Sequence, residues 1–204
     1  LIWQQGQGEI NLEISGLFNQ KNRELSNLSA VGRVKLDQGV IVSEFFPNDS
    51  VSAIRGEILF SFDHMEIPYL KGNFSGGDFF VSGNLPLNRV NNGNEFVDIN
   101  FNNLNLNLKG FYQGRVAGNL RVLGSWLDMD LTGELNLSEG EVFLEEITTP
   151  GLLLSNEYID IDRVNLVDLQ LHLRENIQLV RPPILSFVAT GSLNLNGSLT
   201  NPLP

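Results

Sequence analysis

Two histidines, His64 and His172, come first in any search for chemistry, because imidazole titrates near neutrality and binds metals. They lie far apart in the chain, and no carboxylates at metal-ligand spacing surround either one. His172 falls on the polar side of the Leu171/Leu173 alternation and reads as a solvated residue. Asp160 and Asp162 share one strand face, opposite Ile159 and Ile161. Paired carboxylates can hydrolyse glycosides, but a water-facing strand explains these two better. Glu145 and Glu146 read as a charged loop. The absence of cysteine excludes thiol nucleophiles, disulfides and cysteine-ligated metals. The expectation is a protein that is not an enzyme, with no cofactor and no metal.

Composition narrows the partners. The net charge is −11, which disfavours nucleic acid and anionic membrane surfaces as electrostatic partners. No run of about 18 apolar residues is present to cross a membrane as a helix. Residues 1–10 lack the basic start and apolar stretch of a signal peptide. The chain opens and closes in mid-pattern and reads as a fragment of a longer protein. Hydrophobic content of 42% supplies a sizeable core or lining. The sequons at Asn27, Asn48, Asn73, Asn136 and Asn196 are what a chain rich in Asn and Ser produces by chance. Trp3 and Trp126, without an aromatic cluster, read as packing residues.

The informative feature is a period of two, the signature of a strand with one apolar and one polar face. It runs through Ile10, Leu12, Ile14; Val34, Leu36; Ile58, Phe60, Phe62; Ile99, Phe101; and Leu104, Leu106, Leu108. From Gly118 to Leu144 it is nearly unbroken: Leu120, Val122, Leu127, Met129, Leu131, Leu135, Leu137, Val142, Leu144. Ile159, Ile161, Leu169, Leu171, Leu173, Leu193, Leu195 and Leu199 complete the stripe. Turn signals at 8–12-residue spacing argue an all-β fold, and the short links favour antiparallel neighbours. Residues 17–27 read as a loop or one helical turn, and a segment containing His64 and Pro68 reads as a loop. Pro47–Ser50, Ser75–Asp78 and Asn91–Asn94 read as turns, and Pro182–Pro183 interrupts any central strand. Residues 1–204 form one continuous segment, with a sub-boundary near 88–95. On pattern alone a closed core and an open apolar trough both satisfy the stripe, because alternation fixes a face and not its cover.

Three segments share one form: Gly, two alternating aliphatics, Gly, aliphatic. They are Gly32–Val40, Gly133–Val142 and Gly191–Leu199. With the serial Gly-x-Leu-x-Leu units of Gly118–Leu144 and the late pattern Leu169–Pro202, the chain resembles the C-terminal region of the TamB family, among the AsmA-like, bridge-like lipid-transfer proteins. The resemblance implies an elongated, curled, mainly antiparallel sheet, a U-shaped trough or β-taco whose apolar interior is lined by the stripe. It implies a periplasm-spanning segment of a protein anchored to the inner membrane outside this chain, or a chloroplast intermembrane-space location in a plant relative. The implied work is phospholipid transport to the outer membrane and assembly of that membrane, including barrel proteins and autotransporters. Implied partners are phospholipid acyl chains and an outer-membrane barrel-assembly protein, with no nucleic acid. The alternative is a structural or adhesive β domain, a sandwich or β-helix with a closed core.

Overall fold

The computed structural model describes residues 2–21, 24–43, 46–88, 95–108, 112–143, 164–181, 185–198 and 201–203. They form one eleven-stranded sheet whose strands lie side by side in chain order. The strands are β1 (Ile2–Asn19), β2 (Glu24–Ser43), β3 (Phe46–Phe62), β4 (His64–Phe74), β5 (Gly77–Pro86), β6 (Val97–Leu108), β7 (Tyr112–Ser125), β8 (Asp128–Phe143), β9 (Val164–Arg181), β10 (Leu185–Ser198) and β11 (Asn201–Leu203). All neighbours pair antiparallel except β8 and β9, which run parallel. The exception falls where residues 144–163 separate the two strands, a link long enough for the return that parallel pairing needs.

Three segments differ from the sequence reading. Residues 17–19 and 24–27 are strand, because the β1–β2 hairpin stays paired out to Asn19 and Glu24. Residues 47–50 belong to β3. His64 and Pro68 lie in β4, not in a loop: the chain reverses at Asp63 alone. Pro68 is tolerated because it falls in a register shift toward both neighbours, between Glu66 and Tyr69 opposite β3 and between Ile67 and Leu70 opposite β5. A bulge asks no ladder hydrogen bond of it.

Residues opposite one another in a ladder share a face, so the register carries one face across the whole sheet. One row reads Gly8, Leu36, Gly56, Leu70, Val81, Ile99, Leu120, Gly133, Leu169, Leu195. The opposite face carries ion pairs such as Arg33–Glu9 (2.9 Å), Arg55–Asp37 (2.9 Å) and Arg121–Asp98 (2.8 Å). They are exposed, and solvent screening leaves them a minor contribution to stability.

The sheet is curled and not closed. Bulges with a residue at positive φ occur at Gln38, Ala53, Asn103, Glu139 and Asn176, at neighbouring heights on β2, β3, β6, β8 and β9. A bulge bends its strand. Bends at similar height on successive strands form a fold line across the strands, which makes a trough running in the order β1 to β10. At the usual strand spacing ten strands give it a length of about 43 Å.

Candidate functional site

The inner face of this curled sheet is the candidate site, and it is built from whole rows. Ile10, Val34 and Ile58 are mutually opposite; so are Leu12, Gly32, Phe60 and Met65, and Ile14, Ala30 and Phe62. Farther along, Phe101, Gly118, Leu135, Leu171 and Leu193 form one row. Leu104, Val116, Leu137 and Leu173 form the next. Val122 and Leu131 lie opposite, Met129 faces Gly124, Leu106 faces Gly114, and Val142 faces Tyr112. Leu127 sits in the β7–β8 turn rather than in a strand. Leu108 pairs with Tyr112 through its backbone. Leu144, Ile159, Ile161 and Leu199 lie outside the described residues, as do Asn91–Asn94, Glu145, Glu146, Asp160, Asp162, Pro182 and Pro183.

Burial divides the face. Two clusters are packed shut: Ala30, Met65, Ile67, Leu85, Leu87 and Val97 in one, Leu104, Tyr112, Val116 and Ile177 in the other. Leu104 is 3% exposed and Ile177 0%. At the two ends of the strand order the same face is open: Ile10 on β1 is 71% exposed and Leu193 on β10 is 37%. The lining is therefore packed shut in the middle strands. Met65, Ile67, Leu70, Val116 and Tyr112 extend the lining beyond the residues of the sequence reading. The alternation Met65-Glu66-Ile67 was the available signal on β4, hidden by reading Pro68 as a loop.

Glycines let the backbone draw close. Gly118 sits at φ +150°, and a Cβ there would fall on the Glu134 carbonyl oxygen across the ladder. Gly114 and Gly140 leave room for the Tyr112 ring, whose hydroxyl donates to the carbonyls of Arg115 (2.8 Å) and Ser138 (3.3 Å). Burial pushes the Tyr112 pKa up to about 12, against a smaller lowering by the Ser138 backbone.

At one margin of the sheet the segment after β5 is pinned across several strands. Leu87 N–H donates to the Asp63 carbonyl (2.6 Å), and Trp126 N–H to the Pro86 carbonyl (2.9 Å). The Asn88 amide accepts from Leu28 N–H (2.7 Å) and donates to Leu28 C=O (2.7 Å). Leu87 is thereby held inside the first cluster.

Titratable groups do not converge. His64 contacts Asp63 (2.7 Å) and Glu95 (3.2 Å) at the surface, and the hydrogen bond to Asp63, with help from Glu95, holds its pKa above the ordinary value. His172 stands opposite Asn136 and Ser192 on the outer face. No group of three or more His, Cys, Asp or Glu among the described residues could hold a metal. A shallow outer depression of about 460 Å³ is lined by Arg55, Lys71, Phe80, Asn100 and their neighbours. Its acid, Asp78, is hydrogen-bonded to Asn73. The arrangement can hold apolar matter by burial, and among the described residues the titratable side chains named here lie on the outer surface.

A family model described as the TamB C-terminal domain matches residues 68–204, which takes in most of β4 and all of β5 to β11. No curated protein and no solved structure matches the chain.

Proposed function

The chain belongs to the TamB family, and on that premise we propose that it is a stretch of hydrophobic groove through which phospholipid passes between membranes in outer-membrane assembly. The observation that carries the reading is the apolar inner face, continuous across ten strands. Acyl chains need no specific ligand. Each methylene taken out of water contributes about 0.8 kcal/mol, so a long chain is held by burial alone. Dispersion contacts are individually weak and non-directional, so the chain can slide. The mechanism is passive conduction without a catalytic step. The setting is the periplasm, in a protein anchored elsewhere to the inner membrane, delivering to an outer-membrane barrel-assembly partner.

The fully buried clusters favour a second reading, a structural β domain whose core stays shut. Leu135→Arg separates the two. Leu135 is partly buried and packs on the second cluster. An opening trough lets the guanidinium reach water while its stem lies on the lining, so the fold survives and conduction is blocked. A permanently shut core must bury the charge and unfolds. A melting curve of the variant is paired with an outer-membrane integrity assay in cells. Stable fold with lost integrity supports conduction; loss of fold supports the shut core; retention of both means this stripe is not the path.

A further inference from the structure

On the outer face of this acidic chain, cations are set against carboxylates. Lys35 on β2 stands directly opposite Glu9 on β1 and Glu57 on β3. Arg121 stands opposite Asp98, its ion-pair partner at 2.8 Å. Lys71 on β4 departs from the pattern. Its ladder partner on β3 is Arg55, and its partner on β5 is Phe80. Among the described residues Arg55–Lys71 is the one pair of like charges that a ladder sets face to face. Like charges in that position repel, so the placement does not serve the sheet. Nor does an ion pair relieve it at Lys71, which has no such partner among the described residues.

The two cations line the outer depression of about 460 Å³. The ladder carries their row on through Phe80 to Asn100, and the next row is Asn73, Asp78 and Asn102. All these side chains are exposed, on the face opposite the groove lining. Phe80 is 42% exposed and turns its ring outward between the lysine and the amides. The nearby acids are engaged: Asp37 pairs with Arg55 at 2.9 Å, and Asp78 accepts from the Asn73 amide.

From this juxtaposition we infer that the depression binds an acidic sugar, with its carboxylate or phosphate on Lys71 and Arg55 and its ring against Phe80. Each lining group answers one part of such a ligand. The adjacent cations supply charge-assisted hydrogen bonds to the acid group. The Phe80 ring offers an apolar surface to the C–H face of a pyranose. Hydroxyls both donate and accept; the Asn100 and Asn102 amides do the same, and the Asp78 carboxylate adds acceptors. Asp78 also argues against a bare inorganic anion, which it would repel and which would leave Phe80 without a role. The volume lies within the range of small-molecule sites, about 300–1,000 Å³. The net charge of −11 does not forbid the site, because charges beyond about 8 Å are largely screened at physiological salt. A free sugar and one unit of a glycan share this chemistry. The site is independent of what the groove carries.

The inference is tested by NMR titration of the isotope-labelled chain with galacturonate and with galactose 6-phosphate, against galactose and inorganic phosphate as controls. Expected is saturable binding of an acidic sugar, with shifts centred on Arg55, Lys71, Phe80 and Asn100, and none by either control. Lys71→Gln should weaken it about tenfold, the loss of one charge-assisted hydrogen bond. Phe80→Ser should weaken it about threefold or more, from the apolar area lost. Lys35→Gln, on the same face but between two glutamates, should leave it unchanged. Lys71→Gln should also leave Tm unchanged or raised, because it removes a repulsion. Tetragalacturonate separates the sources: tighter binding than the monomer supports a glycan unit, and equal binding supports a free sugar. Absence of saturable binding overturns the inference, as does equal binding of inorganic phosphate or galactose, or undiminished binding by Lys71→Gln. A lowered Tm for Lys71→Gln overturns it as well, by giving the lysine to the fold.

Discussion

Gly118→Ala should destabilise the sheet by about 2–5 kcal/mol, and the structure contains its own control. Gly118 and Gly191 share a backbone conformation, at φ +150° and +149°. Both lie on the inner face, Gly118 opposite Leu135 and Gly191 opposite Leu173. Their surroundings differ. A Cβ on Gly118 would overlap the Glu134 carbonyl oxygen and stand 3.0 Å from Leu135 Cα, whereas one on Gly191 meets nothing within 4 Å. Alanine at either site takes the conformational strain, on the order of 1–3 kcal/mol, less about 0.4–1 kcal/mol gained by restricting the unfolded chain. Only at Gly118 must the neighbouring backbone also shift, which adds about 1–3 kcal/mol. Gly191→Ala should therefore cost about 0.5–2 kcal/mol, and the difference between the sites isolates the close approach of β7 and β8. Urea unfolding followed by circular dichroism measures both. Equal losses would refute the close-approach argument; a neutral Gly191→Ala would refute the strain argument.

Leu104→Arg buries an unpaired charge in the second cluster and should abolish cooperative melting, whereas Leu193→Arg at the open end should shift Tm little. A photo-crosslinker at Leu193 should capture lipid in cells and one at Asn194, on the outer face opposite Gln170, should not. Tyr112→Phe removes a hydroxyl that serves two carbonyls and should cost about 1 kcal/mol in a chemical melt. The raised Tyr112 pKa means its contribution is present below the unfolded value of about 10 and is lost as pH rises through about 12, so the wild-type minus Tyr112→Phe stability difference should shrink across that window. His64, also raised in the folded state, contributes fully below its unfolded pKa of about 6.5 and loses that contribution as pH rises through its higher folded value. His64→Gln should therefore flatten the small rise in Tm on acidification from pH 8 to pH 6.

The sequence by itself determined which residues share a face. Side-chain direction alternates with every strand residue, so Leu120 and Val122, or Leu169, Leu171 and Leu173, declare a common side before any partner is known. It also carried the family, through Gly-x-Leu-x-Leu units that a one-dimensional pattern can repeat. The short links also gave the mainly antiparallel pairing, but the one parallel pair was beyond its reach. The alternation of Met129, Leu131, Leu135 and Leu137 fits a parallel or antiparallel neighbour equally, and only the tertiary structure set β9 parallel to β8. His64 and Pro68 were misread because a proline in isolation looks like an interruption, while in the sheet it occupies a bulge that two neighbours jointly create. Nor could the pattern say that Leu104 is sealed while Ile10 stands open. Both are aliphatic residues on the same face, but cover is supplied by distant strands and by the fold line of bulges at Gln38, Ala53, Asn103, Glu139 and Asn176. Periodicity is a local property of the backbone; burial depends on where the rest of the chain comes to lie.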